Sequence, residues 1–431
     1  MQGGRKMNKY LPLAIERYQH NYDPDFSVED EYEKRLTSPA SMVTKLFPLL
    51  TYQKRGGQTK EFPIFFTYTA DLVALASQLE CNSRQISQLA GQLPGVAQAH
   101  FLNSLLLDEI TYTNEIEGIK TDAAEISTII NSLDDGLRAR EKRLWSTVRM
   151  YQEVSRGKLL SITALQDFRN IYDELLKGEI PPEKNPNGQL FRDTLPDGQA
   201  LRIGNATKTV HVPPTSELAI SEALMSLIAF MNDDDLPAVY KALINHFFFE
   251  STHPFLDGNG RMGRYLLSTY LSAKFDKFTG FSVATAIHAQ ASRYYKLFKE
   301  ADVAENRAEL TFFIKDMLEI LVAQQEQVLE ALQGSRQRLD FVFKKVDQEA
   351  AHLAENGEHD QATIRAILRY LAESALFVNN DRLGIKDNDI IKLNSEDGIS
   401  QRRTKRSLAY LEEIGVISLV SGRPKLHKLV R

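Results

Sequence analysis

The chain has 431 residues, 43% hydrophobic and 25% charged. That is the make-up of an ordinary globular protein with room for about two to four domains, each with its own core. A single cysteine, Cys81, excludes intrachain disulfides and any Cys-rich zinc module, and 52 basic against 57 acidic residues exclude a uniformly basic nucleic-acid coat. No apolar run of roughly 18 residues occurs, so no membrane span is expected. The start, Met1 to Lys6, leads into Asn8-Lys9-Tyr10 without an apolar stretch, so no signal peptide is expected and the cytoplasm is the expected location.

Apolar residues three or four apart dominate, which predicts a mostly α protein with a few short strands. In the first hundred residues His20, Asp23, Asp25 and Glu29 are loosely spaced and read as solvated surface. Leu102, Leu105, Leu106 and Ile110 form the stripe of a helix that ends in Thr113-Asn114-Glu115-Ile116-Glu117-Gly118. Gly118 suits the position just past a helix end. Thr113 and Glu117, four apart, share a helix face. Trp145 reads as core.

Residues 180–214 break the helical pattern with Pro181, Pro182, Pro186, Asn187-Gly188, Pro196-Asp197-Gly198 and Pro213-Pro214. Leu201-Arg202-Ile203 and Thr209-Val210-His211-Val212 alternate around Gly204-Asn205, which predicts a hairpin. On these signals alone it is either a solvated loop or a flap over a site. Helical stripes then resume at Ile220, Ala223, Leu224, Leu227 and Ile228, and again after Leu236-Pro237 through Val239, Leu243, Phe247 and Phe248.

Between that last helix and the next, which begins near Leu266, lies Ser251-Thr252-His253-Pro254-Phe255-Leu256-Asp257-Gly258-Asn259-Gly260-Arg261-Met262-Gly263-Arg264. A glycine-rich loop here opens a helix, whose first N–H groups are free donors at the positive end of the dipole. Gly258 and Gly260 let those N–H groups form an anion nest. Arg261 and Arg264, three apart, offer guanidinium forks suited to phosphate oxygens. Asp257 is a hard oxygen ligand suited to Mg²⁺ held jointly with phosphates. His253 can accept a proton near neutral pH. Such a set in so short a span has no packing rationale and is equipment for attack on a nucleotide phosphate.

The same segment resembles the signature of the Fic family (filamentation-induced-by-cAMP proteins), H-x-F-x-D/E-G-N-G-R-x-x-R, at every defined position. His246-Phe247-Phe248-Phe249-Glu250 resembles the lead-in helix of that family, and Tyr294-Tyr295-Lys296-Leu297 a paired-tyrosine segment that follows it. The resemblance implies a helical core that transfers AMP from ATP to a Ser, Thr or Tyr hydroxyl of a target protein, with Mg²⁺. It implies His253 as base and Asp257 as metal ligand. It places the N–H groups near Gly258, Asn259 and Gly260 on the α-phosphate, Arg261, Gly263 and Arg264 around the β- and γ-phosphates, and Tyr295 on the adenine side. One family branch replaces the second glycine by Lys and works as a kinase; Gly260 argues for AMP transfer. The hairpin at 201–212 resembles the flap on which targets dock by strand addition. Thr113, Glu117 and Gly118 resemble the family's inhibitory motif S/T-x-x-x-E-G/N, which implies that Glu117 pairs with Arg264 and keeps it from the γ-phosphate. Whether Glu117 also drives AMP removal, or the core only senses nucleotide for a DNA-binding regulator, stays open.

Residues 305–355 read as one long helix joining two domains, with a boundary at Asn356-Gly357. Beyond it, Ile364, Ile367, Leu368 and Leu371 predict a helix, and Ser400 caps an Arg-rich helix that ends at Gly415. A basic hairpin follows, 416–420 and 425–429, and residues 398–431 hold eight Lys/Arg against two Glu. This resembles a winged helix-turn-helix. It would suit either a DNA backbone or a protein partner, and a homodimer is also open. Asn379-Asn380-Asp381 and Asp387-Asn388-Asp389 suggest longer loops within it. The expected organisation is therefore a helical region 1–95, a Fic core 96–305 with its inhibitory helix and β-hairpin flap, a helical connector 306–356 and a winged helix-turn-helix domain 357–431.

Overall fold

The computed structural model describes residues 10–53, 57–133, 143–195, 201–205, 208–355, 357, 359–377 and 383–430. Helices dominate, as the apolar spacing requires. The N-terminal part, expected as a helical region, also holds short strands. After helices Leu13–Gln19 and Val28–Leu36, strand Ser41–Val43 pairs antiparallel with Phe65–Thr67, and Leu50–Thr51 with Gln58–Thr59. The β-favouring residues Val43, Phe65 and Phe66 account for the first pair.

One apolar core runs from Leu13 to Leu383 and crosses both expected boundaries, near residues 95 and 305. The long helix spans Thr311–Leu353 and is no free connector. Phe313, Ile314, Met317, Leu318 and Leu321 sit in the main core, while Val346 and Ala350 belong to a second cluster with the C-terminal unit. A continuous helix with a continuing stripe thus serves two cores in succession.

The elements that position the site are helices Gly95–Ile116, Ala238–Thr252 and Asn259–Lys274. Phe247, Phe248 and Phe249 are buried, and Phe247 packs edge-on against Phe313 at 5.2 Å. Strands Ile203–Asn205 and Lys208–His211 form the expected hairpin. Gly204-Asn205, expected at its turn, lies within the first strand, which has a register shift at Ile203/Gly204; residues 206–207 lie outside the described residues, as do Pro196-Asp197-Gly198.

The C-terminal unit holds helices Gln361–Phe377, Asp387–Glu396 and Gln401–Glu413. Strands Ile417–Gly422 and Lys425–Leu429 follow, and the latter also pairs with Ile385–Lys386. Ser400 caps by accepting from Arg403 N, and Gly415 ends the helix with φ 75°. Asp387-Asn388-Asp389 opens a helix and is not the loop expected from its composition; Asp387 and Asp389 favour the positive end of that helix's dipole. Asn379-Asn380-Asp381 lies outside the described residues. Among the described residues no helix is long and apolar enough to cross a membrane.

Candidate active site

His253 caps the end of helix Ala238–Thr252 in the left-handed region, φ 48°, an uncommon conformation for a residue with a side chain. Arg192 holds it there. This arginine is only 1% exposed. Its Nε donates to His253 O at 2.7 Å, its Nη2 to Thr252 O at 3.4 Å and its main-chain N–H to Pro254 O at 3.0 Å. The carbonyl end of a helix favours a cation, yet burial still lowers the Arg192 pKa to about 10. Burial, with the nearby Arg192 and His211 charges, lowers His253 to about 3, so its ring stays an uncharged base.

The loop after His253 is closed by Asn259, whose side chain accepts from Phe255 N (2.9 Å) and donates to Phe255 O (2.8 Å). Phe255 in turn stacks on Tyr172 at 3.7 Å. Gly258 has φ 78°, and a Cβ there would lie 2.3 Å from Leu176. The helix then begins at Asn259, so the N–H groups of Asn259, Gly260 and Arg261 belong to its first turn and have no acceptor within it. A Cβ on Gly260 would lie 2.1 Å from Glu117 Oε1, so only glycine allows that carboxylate to come so near the turn. Gly263 faces the Glu250 side chain.

The two arginines go to different places. Arg264 is 1% exposed. Its Nε donates to Thr113 Oγ1 (2.8 Å), and its Nη2 to Thr113 O (3.0 Å) and to Glu117 Oε1 (2.7 Å). Burial opposes its charge, but Glu117, Tyr294 and Glu250 together outweigh burial and hold its pKa above the ordinary arginine value. Gly118, φ 70°, ends the helix that presents Thr113 and Glu117. Arg261 turns the other way and donates to Glu179 Oε2 at 2.9 Å, both side chains being buried. Glu179 also accepts from Thr147 Oγ1, and burial raises its pKa.

Asp257 accepts from Lys184 Nζ at 2.8 Å and from Gly258 N at 2.6 Å. Burial opposes its charge, but these partners hold its pKa below the usual range. A single ionised, partly exposed carboxylate suits Mg²⁺ that takes its other ligands from phosphates and water. Among the described residues no group of three or more His, Cys, Asp or Glu could hold a metal alone.

A cavity of about 730 Å³ brings His253, Gly260, Arg264, Glu117 and Tyr295 together. Glu250 also lines it, with burial raising its pKa to about 8 and one oxygen left without a hydrogen-bond partner. Ile203 and His211 of the hairpin reach the same cavity. His211 anchors them through Asp302 Oδ1 (2.8 Å) and Ser251 O (2.7 Å). Tyr295 donates to Ile116 O at 3.1 Å. Arg261 and Asp257 stand off the cavity wall. Arg192, Glu179, Lys184 and Glu250 carry no spacing signal as site residues; Glu250 lies only inside the segment that resembles the family's lead-in helix.

Residues 161–271 match the model of the Fic/DOC family. The chain carries a Fic/DOC domain. It is similar to a crystal structure of a Fic family protein from Desulfovibrio desulfuricans G20, with 18% identity over 85% of this chain and 97% of that one, at a TM-score of 0.47. It is also similar to Fic-1 from C. elegans, with 17% identity over 61% of this chain and 74% of that one, TM-score 0.39. A Fic domain containing signaling protein from Bacteroides thetaiotaomicron matches at 16% identity over 62% of this chain and 97% of that one, TM-score 0.38. The domain supports a transferase that acts on proteins and uses a nucleotide substrate.

Proposed function

We propose that this Fic-domain protein is an adenylyltransferase that moves AMP from ATP to a Ser, Thr or Tyr hydroxyl of a target protein, and that Glu117 restrains it. The observation that carries the reading is the juxtaposition in one cavity of an uncharged His253, the opening turn of the Asn259–Lys274 helix and an Arg264 already held by a carboxylate.

In the working state the target hydroxyl attacks the α-phosphorus. Its proton passes to His253, the bond from that phosphorus to the pyrophosphate oxygen breaks, and pyrophosphate leaves. The free N–H groups at Asn259 and Gly260 take the α-phosphate charge. Arg264, once released by Glu117, holds the γ-phosphate. Asp257 would hold Mg²⁺ against the phosphates after Lys184 yields, and the metal would neutralise charge building on the leaving group. Arg261 is assigned a different part from the one its place in the motif implies. Its buried pair with Glu179 ties the catalytic turn to the segment after helix Leu165–Leu175 and leaves phosphate binding to Arg264. The hairpin has no third strand beside it among the described residues, which leaves a strand edge for the target segment.

Glu117 also stands on the cavity wall, so AMP removal with Glu117 acting on water is a second reading of the same residue. Intact-mass spectrometry after incubation with ATP and Mg²⁺ tests the main one. Glu117→Gly is expected to accumulate an AMP adduct on the chain many-fold above wild type, and adding His253→Ala is expected to abolish it. A Glu117→Gly protein that gains no adduct on itself or on any lysate protein sinks the transfer reading. Loss of an AMP adduct from a modified target with wild type but not with Glu117→Gly would favour the second reading.

A further inference from the structure

Helix Gly95–Ile116 has two gripped ends. Its C-terminal end carries Thr113 and Glu117 on Arg264 and offers Ile116 O to Tyr295. Its N-terminal end lacks a cap of its own: Pro94 makes no side-chain cap, and the first turn holds no acidic residue. Another element covers that end. Glu373, on helix Gln361–Phe377 of the C-terminal unit, is only 6% exposed; burial raises its pKa to about 7, while the neighbouring Ala97 N–H favours its ionised form. A carboxylate at that end is favoured by the helix dipole and stands near the orphan donors.

Direct contacts surround that carboxyl. The next residue, Ser374, bonds His100 Nδ1 at 3.0 Å. Phe377 meets Phe101 edge-on at 6.1 Å, and Val96 packs on the apolar cluster of the C-terminal unit. No proline and no glycine interrupts the helix after Gly95. Leu105, Leu106, Leu107 and Ile110 bury its middle. Its 22 residues make a rod of about 33 Å. An unbroken helix held at both ends transmits a shift or rotation of one end to the other.

We propose that Glu373 and Ser374 are positioning residues for the Thr113–Glu117 latch: the C-terminal unit grips the start of the Gly95–Ile116 helix, and that grip sets how firmly its end closes on Arg264. The inference rests on the reading of Glu117 as the restraint. It assigns the C-terminal unit a place in controlling the cavity whatever that unit itself binds. The coupling needs no contact between the two, since the helix spans the distance.

The test uses the full chain and two readouts. Hydrogen exchange of amides 109–118 reports the latch directly, and the AMP adduct reports its consequence. Glu373→Ala, which removes that buried carboxyl, is expected to speed exchange over 109–118 and to raise the adduct several-fold. Glu373→Gln keeps an acceptor oxygen and is expected to stay near wild type in both. Ser374→Ala is expected to shift both in the same direction by less, and it replaces Glu373→Ala if that variant does not fold. The adduct of Glu373→Ala combined with Glu117→Gly is expected not to exceed that of Glu117→Gly alone. The proposal is overturned if exchange quickens only over 95–101 while 109–118 stays at the wild-type rate, since the contact is then local capping. If Glu117→Gly forms no adduct, the transfer reading fails, and the exchange pattern alone still decides whether the grip reaches the latch.

Discussion

The Asn259–Lys274 helix carries two neighbouring arginines whose partners differ. Arg261 meets Glu179, with 4% and 2% of the side chains exposed. Arg264 meets Glu117, whose side chain is 33% exposed on the wall of the cavity. Water and anions do not reach a pair this buried, and the further cation near Glu179, Arg143 at 3.9 Å, reinforces it. A pair open on one side can exchange its carboxylate for a polyanion that fits the cavity. The first is built to stay closed, and the second can be traded for phosphate.

Breaking each pair should expose the contrast. Glu179→Ala strands the Arg261 charge in the interior and is expected to cost about 3–5 kcal/mol in denaturant unfolding, with activity lost through the fold. Glu117→Gly leaves Arg264 with its Thr113 bonds and an opening to solvent, so it is expected to cost less than about 2 kcal/mol while activity rises. Equal losses from the two would erase the distinction.

The surroundings of Arg264 sharpen it further by pH. Glu109 and Glu250 both lie near this arginine, and burial raises each to about 8. In the unfolded chain they ionise near their ordinary value. Below that value both states are protonated and nothing is lost. As pH rises towards 8 the unfolded chain gives up protons that the folded one keeps, so stability falls, and it levels off above 8. The drop between pH 5 and 8 is expected to be at most about 4 kcal/mol for each carboxyl in urea unfolding. Glu109→Gln and Glu250→Gln should each flatten the slope, and an unchanged slope in both would mean that the two carboxyls are ionised in the fold.

The smallest effect belongs to the third ion pair of the motif, Lys184 with Asp257, on the rim. With Lys184 54% and Asp257 31% exposed, Lys184→Ala is expected to change stability by less than about 1 kcal/mol. It should tighten Mn²⁺ binding in the presence of ATP, read by calorimetry, because the metal no longer competes with an ammonium. Weaker Mn²⁺ binding in that variant would make Lys184 part of the phosphate site.

Much of this site is legible in the chain because its parts are close in sequence. The glycine turn that opens a helix, the cap at Gly118 and the shared face of Thr113 and Glu117 follow from local backbone rules. The hairpin is legible as a pair of alternating segments, though Gly204-Asn205 lies in a strand and not at the turn. The partners of those parts are not legible. Glu179 lies 82 positions from Arg261, Arg192 lies 61 from His253, and no periodicity links them. The first of these misses changes a role. From the motif Arg261 and Arg264 look alike, and only packing separates the buried strut from the exchangeable clamp. The long helix is a similar case, since its stripe is visible in the chain but the two cores that share it are not.

The sequence by itself determined that the chain is mostly helical, that a glycine-rich turn brings a histidine, a carboxylate and two arginines to a helix start, and that Thr113 and Glu117 lie one turn apart near a helix end. Each is a matter of spacing along one backbone. Tertiary structure decided which arginine faces the cavity, how Arg192 holds the histidine backbone in a left-handed turn, and that the C-terminal unit packs on the start of the helix that carries Glu117. Those outcomes depend on which distant groups burial forces together, because a charge or an orphan donor removed from water must find its partner wherever the fold places one.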